Sequence, residues 1–518
     1  YRGSVAFSVP LVKDKLAIRV SASYDYRAGY ADIYEGEPTG TPRETDANDI
    51  KATNLQAVVL WKPTDRLTLR MRGWRFSVDQ DYLNVMDSVN PPYAANQGSV
   101  EGYDRRRATY FSNTVTYDFD AVTLTNATSY QRALPGGFGV GLGLGAPLGV
   151  GTLINGGDAK NFVNEFRLAS QDDSPFHWVG GVFYQNAESL YEFSLDFPTL
   201  SLGGETITKT ENGSFFSEIS YDMFGGKLVP LVGLRYFKDN RSSDSFSNGV
   251  PASSRDKLDA WTWRASLAYH PNDDWMVFFN AGTGFRSSIL QSQAQADAVT
   301  ADGVPSAISL TPDKLRNIEL GVKGSLFERS LNVTASVYDI KYTNLQSAFD
   351  TSIGLSAFAN LGDGKTQGID LEVQWYTPVD GLSFNAIANV NDSEFTDVVD
   401  AFADAIPRAA NGERLFNTPP YNARFDANYN TTFGDWELNA NASATFNGKA
   451  KNQNAVVGTL DAYSLYDASV AFRRGQYEFR VYGDNLSDYR GPTSANGPTL
   501  LAGPRPRTIG VAFRLYMD

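Results

Sequence analysis

Between Ala260 and Phe285 the chain reads AWTWRASLAYHPNDDWMVFFNAGTGF, and its side chains sort into two alternating sets. Trp261, Trp263, Ala265, Leu267 and Tyr269 fall on one side, with Thr262, Arg264, Ser266, Ala268 and His270 on the other. A period of two predicts a strand. Its apolar side carries aromatics at both ends with Ala and Leu between them, the order expected where a strand crosses hydrocarbon between two aromatic girdles. The polar stretch HPNDD, residues 270 to 274, predicts a tight turn, and a second strand runs from Trp275 to Phe285. The unit reads as a hairpin with lipid on one face and a polar surface on the other.

The same unit recurs along the chain. Strands at 3 to 11 and 15 to 26 are joined by VKDK, and a long polar segment (27 to 50) separates them from the pair at 51 to 61 and 66 to 78. Further pairs are predicted at 107 to 118 and 121 to 132, at 160 to 170 and 176 to 188, and at 212 to 223 and 228 to 240. The pattern continues at 258 to 269 and 275 to 285, at 314 to 325 and 331 to 343, and at 366 to 376 and 382 to 393. It ends with pairs at 421 to 432 and 435 to 447 and at 461 to 473 and 477 to 484, then a lone strand from Arg507 to Tyr516. Tight turns alternating with long loops describe an all-β fold, a transmembrane antiparallel β-barrel.

Alternation also assigns faces. In the strand after Asp435, Trp436, Leu438, Ala440, Ala442, Ala444 and Phe446 oppose Glu437, Asn439, Asn441, Ser443 and Thr445. An Arg facing lipid near the midplane costs about 2 to 4 kcal/mol, so charges on the polar face belong in the lumen. Arg19, Arg70, Arg72, Arg264, Asp370, Glu372 and Asn439 are therefore expected to point inward. A soluble β-sandwich or propeller with one wet face also alternates. Strand length and aromatic ends weigh against it.

The first connection is tight and the last strand is entered from a long loop, so both end strands run the same way. That requires an odd count, about 21, whereas closed bacterial single-chain barrels have an even number. The expectation is one further strand before Tyr1, making about 22.

Composition narrows the class further. No apolar run approaches the length a membrane helix needs, and mean hydropathy is negative at −0.31. Cysteine is absent, which removes disulfides and thiolate metal sites. A formal charge of −14 lacks the basic footprint that nucleic acid requires.

Candidate chemistry is sparse. The Gly-rich stretch at 134 to 157 has G-x-G spacings but no Lys-Ser/Thr and opens no helix, so a flexible or lid-like loop is expected in place of a phosphate cradle. His177 and His270 lack metal-ligand spacing, and the carboxylates of 392 to 405 do not follow an EF-hand, so these read as interfacial or solvated groups. Tyr103, Arg105, Arg106 and Arg107 form a basic aromatic cluster at a loop-to-strand junction, and Arg286 closes the run GTGFR. Tyr103, Arg105, Arg106 and Arg286 are the candidate ligand contacts. No catalytic constellation, metal site or cofactor site is expected.

The opening YRGSVAFSVPLVKDKLAIRVSASYDYRAGYAD resembles TonB-dependent receptors of proteobacterial outer membranes. So do LTPDKLRNIELGVKGSLFERSLNVTASVYDIKYTNLQ (310 to 346) and YGDNLSDYRGPTSANGPTLLAGPRPRTIGVAFRLY (482 to 516). The resemblance implies that residues 1 to 518 are one barrel domain, with the family's globular plug and energy-coupling box lying outside it. It implies a transporter, not an enzyme, that binds a scarce nutrient such as a siderophore, cobalamin, a saccharide or an aromatic compound. Its implied partners are outer-membrane lipid, that small ligand, and the inner-membrane TonB complex reached through a missing N-terminal segment. The loops at 80 to 106, 134 to 158 and 286 to 312 would carry the ligand contacts. A plugless passive pore or an envelope structural barrel is the alternative.

Overall fold

A computed structural model of the chain describes all residues except 35–39, 83–93, 97–101, 144–149, 172–173, 248, 351–355, 399–408, 454–457, 496–500 and 517–518. One 21-stranded sheet dominates it, each strand antiparallel to its sequence neighbours. Its first hairpins are β1 (Arg2–Val12) with β2 (Leu16–Arg27), and β3 (Ile50–Thr64) with β4 (Leu67–Gln80). Next come β5 (Tyr103–Asp118) with β6 (Val122–Gly143), and β7 (Val150–Ser170) with β8 (Phe176–Phe197). They are followed by β9 (Leu200–Tyr221) with β10 (Leu228–Ser247), and β11 (Val250–Asn272) with β12 (Trp275–Arg286). The second half holds β13 (Asp313–Leu326) with β14 (Leu331–Thr343), and β15 (Gly362–Tyr376) with β16 (Leu382–Val398). The circuit ends with β17 (Tyr421–Phe433) and β18 (Trp436–Asn447), β19 (Tyr463–Arg474) and β20 (Tyr477–Asp484), and finally β21 (Thr508–Leu515).

The connections inside these hairpins are short, and because every neighbour is antiparallel they all lie on one rim, the turn rim. Left-handed backbone makes some of them possible. At Gly381 (φ 78°) an added Cβ would lie 1.6 Å from the carbonyl oxygen of Asn430, so only glycine fits there. Among the described residues β1 pairs only with β2, and β21 only with β20. These two edges run in the same direction, as the parity of the turns predicts. At the opposite rim, the loop rim, Arg505 donates to the carbonyl of Ala28 at 2.9 Å, so the sheet curls until its ends meet.

Register carries the face assignment from strand to strand. Leu267 on β11 opposes Phe279 on β12 and Pro230 on β10, while Ser266 opposes Asn280. Trp261 and Trp263 stand exposed with Leu267 and Tyr269, as does the row of Phe215, Val232 and Leu234. A surface of exposed aromatics and aliphatics this continuous is a lipid face.

One part of that face is polar. Asn126, Thr128 and Asn164 lie on the same side as Phe111, Tyr130 and Phe162. They satisfy one another: Asn164 Nδ2 donates to Thr128 Oγ1 (2.7 Å), Thr128 Oγ1 to Asn126 Oδ1 (3.2 Å), and Asn126 Nδ2 to the Glu165 carbonyl (3.2 Å). Mutual pairing is what lets amides face hydrocarbon, where an unmet donor costs several kcal/mol, on the order of 2 to 7.

The sequence reading ends several strands too early. The stretch 134 to 158, expected as a flexible loop, continues the β6 and β7 ladder, with Gly141 opposite Thr152 and Gly136 opposite Gly157. Residues 189 to 211 and 241 to 257 likewise extend β8 through β11. Above the lipid both faces meet water, so the apolar half of the alternation disappears while the backbone ladder goes on. Only residues 144–149 of the Gly-rich stretch fall outside the described residues.

The largest buried apolar cluster is on the loop rim. Helix α1 (Gln293–Ala301), with a capping box between Ser292 and Gln295, contributes Val299. Val299 packs with Val304, Ala357, Ala359, Leu361 and Phe395, a small core that fixes three connections together.

Candidate functional site

The lumen wall is built from the inward residues of alternating strands, and its charges are of two kinds. Most are paired within the wall. Arg264 on β11 reaches Glu218 on β9 across β10, where Gly233 leaves the space; a Cβ there would lie 3.2 Å from both side chains. Arg424 meets Asp426 at 2.7 Å, and Arg514 meets Glu478 at 3.3 Å. Asn439 donates to Asn430 in the same way.

A second set has no ion-pair partner among the described residues. Arg19 on β2 donates only to Ser8 Oγ, at 2.7 Å. Arg72 on β4 lies 5.7 Å above the Trp74 ring, and Gln56, with its amide oxygen turned to the guanidinium, accepts from it at 2.6 Å. Trp74 stacks on Phe76 (5.0 Å) and donates its indole N–H to Asn54. Arg70 stands two residues below Arg72 on the same face. This gives β2 to β4 a cationic wall with an aromatic ledge.

Half a circuit away, on β13 to β15, three inward carboxylates have no ion-pair partner among the described residues, and Lys323 stands on the same face, 5.8 Å over the Phe278 ring. Glu372 and Asp370 lie on the inward face of β15. Asp370 accepts from Asn389 Nδ2 (2.7 Å), and the same amide donates to the Tyr338 hydroxyl (2.8 Å). Tyr338 lies over Gly368, where a Cβ would come within 2.4 Å of the hydroxyl oxygen. On β13 Glu319 accepts from Asn280 (3.1 Å), which in turn accepts from Ser266 (2.7 Å). The unpaired cations on β2 to β4 thus stand opposite a stretch where, among the described residues, Glu319, Asp370 and Glu372 outnumber the one unpaired lysine, Lys323.

At the loop rim the four candidate contacts do not form one cluster. The register with β4 places Arg106 and Asp104 on the face of Arg72 and Trp74, and places Tyr103, Arg105 and Arg107 on the opposite face. Arg106 Nε donates to Asp104 at 2.9 Å, Arg107 pairs with Asp79 at 3.1 Å, and Arg105 lies 5.0 Å over the Tyr103 ring. Arg286 anchors the small core: its Nε donates to Asp313 (2.7 Å), which is 2% exposed, and its Nη2 to the Gln346 carbonyl (3.0 Å). His177 sits at the turn rim, 3.3 Å from Asp222.

Two features escaped the sequence. Arg235 lies 5.5 Å from the rings of both Phe183 and Phe237 and donates to Ser214 (3.0 Å), an aromatic-lined cation in the lumen. Its signal was present as inward-phase aromatics on β8 and β10. Gln291 is the second: its amide donates to Ser306 (2.8 Å) and the Phe358 carbonyl (3.0 Å) and its oxygen accepts from the Phe358 N–H (2.9 Å). Nothing local marks such a hub, because its partners are remote in sequence.

Residues 61–486 match the family described as TonB dependent receptor-like, beta-barrel. The chain is 21% identical over 281 residues to the probable TonB-dependent siderophore receptor PiuA of Acinetobacter baumannii, covering 51% of this chain and 35% of that protein. It is 23% identical over 300 residues to the metal-pseudopaline receptor CntO of Pseudomonas aeruginosa, covering 56% of this chain and 39% of the relative. The match thus spans little more than a third of these relatives. In shape the chain resembles the ferric yersiniabactin uptake receptor FyuA from Yersinia pestis, with a TM-score of 0.82 at 20% identity over 99% of this chain and 77% of that one.

Proposed function

Because this chain belongs to the TonB-dependent receptors, β-barrels of the bacterial outer membrane, we propose that it is the barrel of an importer that takes a scarce nutrient, a metal chelate, into the periplasm. The energy is drawn from the inner-membrane TonB complex. The chelate class is supported by the names of the relatives, a siderophore receptor and a metal-pseudopaline receptor. In this reading residues 1 to 518 are one barrel domain, and a plug and one further strand, running opposite to β1 and β21, come from outside them.

The observation that carries the reading is the opposed pair of lumen walls. A bore of about 21 strands is too wide for side chains to fill, and charges without partners need something to meet them. Arg19, Arg70 and Arg72 on one side and Asp370 and Glu372 on the other are suited to orient a folded plug that carries complementary charge. Of the four rim candidates, Arg106 shares the lumen face of Arg72 and Trp74, where an arriving ligand passes, Tyr103 and Arg105 stand on the outer face, and Arg286 acts by holding the loop core in place.

Cells with and without the gene, supplied with a radiolabelled ferric chelate, test this. Uptake that needs the gene and stops when the proton-motive force is collapsed is expected. Uptake indifferent to that collapse favours a passive pore.

A further inference from the structure

On the lipid face, one cross-strand row carries four basic residues in six positions. Arg75 on β4 opposes Thr109 on β5, which opposes Arg132 on β6, then Lys160 on β7, Glu188 on β8 and Lys209 on β9. Four cations therefore share one carboxylate, and Glu188 is divided between Lys160 (3.7 Å) and Lys209 (3.8 Å). Arg75 and Arg132 have no ion pair among the described residues. Arg132 and Lys160 stand directly opposite each other, a like-charge pair that destabilises a ladder unless an anion lies between them.

The depth of the row identifies what that anion is attached to. One step toward the turn rim on the same face lie Phe111, Tyr130 and Phe162, side by side and exposed. They form the outer edge of the apolar band, where aromatic rings mark the junction of hydrocarbon and headgroups. The cations thus stand at headgroup level and the rings at acyl level. A free anion would use only the first; a phosphorylated lipid uses both.

We propose that Arg75, Arg132, Lys160 and Lys209, above the ledge of Phe111, Tyr130 and Phe162, form a binding site for the phosphate-bearing headgroup of an outer-leaflet lipid. The site lies outside the barrel, away from the lumen, and depends only on which face meets lipid.

The test uses the full-length product purified in detergent and titrated with diphosphorylated lipid A, with the same lipid after enzymatic removal of its phosphates, and with inorganic phosphate. Expected are saturable binding of the phosphorylated lipid, at least tenfold weaker binding of the dephosphorylated one, and no displacement by millimolar phosphate. Arg132→Gln with Lys160→Gln should weaken lipid binding about tenfold or more, the worth of one or two charge-assisted hydrogen bonds, while Arg167→Gln, facing the lumen, should not. Equal affinity for the two lipids overturns the proposal, and that comparison needs no variant. Displacement by phosphate alone, or equal losses in the two variants, overturns it as well.

Discussion

Arg505 and Ala28 are separated by 477 positions, yet the Arg505 guanidinium donates to the Ala28 carbonyl at 2.9 Å and lies 5.1 Å over the ring of Tyr30. The connection into the last strand therefore clasps the connection out of the second, holding the loop rim in a ring although the strand edges do not pair among the described residues. Arg505→Ala should lower stability by about 1 to 3 kcal/mol, the range for a hydrogen bond to a charged group with its ring contact. The shift of the folded band with temperature on unheated gels measures it, with Arg507→Ala for comparison.

Face decides tolerance in the hairpin of β11 and β12. Leu267 points to lipid, and Ser266, one residue away, donates to Asn280 in the lumen. Leu267→Arg should cost about 2 to 4 kcal/mol or block assembly, while Ser266→Arg should cost less than about 1 kcal/mol. Equal losses in folded yield would contradict the assignment.

The polar ring on the lipid face is expected to behave as a unit. Thr128→Val removes the acceptor for Asn164 and the donor to Asn126, leaving amide groups unmet against hydrocarbon, at about 1 to 3 kcal/mol. Replacing Asn126, Thr128 and Asn164 together with Val, Val and Leu should recover most of that loss. Urea unfolding of the two variants in detergent would show it; a triple variant less stable than the single one would mean the ring acts as more than a closed set of hydrogen bonds.

At the loop rim, Asp81 shares a hydrogen bond with the Asp49 carboxyl, which, with burial, pushes its pKa up to about 6, while Asp49 is held below its usual value. Lys51 lies 3.2 Å from Asp49 and 3.8 Å from Asp81. For Asp81 the folded value exceeds the unfolded one, so its contribution is complete at pH below the ordinary carboxylate range and is lost as pH rises through about 6. The Asp81 N–H, which donates to the Asp49 carbonyl at 3.1 Å, should exchange faster above that pH, after correction for the intrinsic rate. Asp81→Asn should flatten the profile, since the amide still donates and does not titrate.

What was legible in the sequence follows from where the solvent changes. Within the lipid band each strand has one apolar and one polar face, so Leu267, Trp261 and Arg264 declared their sides, and the tight turns fixed strand order. Above the band that contrast vanishes, which is why Gly136 and Gly157 read as loop although they are ladder partners. Pairing across an intermediate strand, as between Arg264 and Glu218, needs the register, and a basic residue was legible as inward without being legible as neutralised. The same limit separated Arg106 from Arg105, adjacent in sequence and on opposite faces.

That distinction between paired and unpaired lumen charges supports the last prediction. Arg264 has its carboxylate within the wall, so Arg264→Glu should destabilise the barrel by placing two acids together. It should not open the resting protein. Arg70 and Arg72 have no such partner among the described residues, and if they hold a plug, Arg70→Glu with Arg72→Glu turns attraction into repulsion at that contact. In planar bilayers the full-length product should conduct little at rest, the Arg70/Arg72 variant should leak with large and poorly selective steps, and the Arg264 variant should not. Compensating reversal of acidic residues on the plug would restore the closed state. A full-length protein that is steadily open, with conductance unchanged by either substitution, would mean that the cationic wall lines a passive channel and that nothing docks against it.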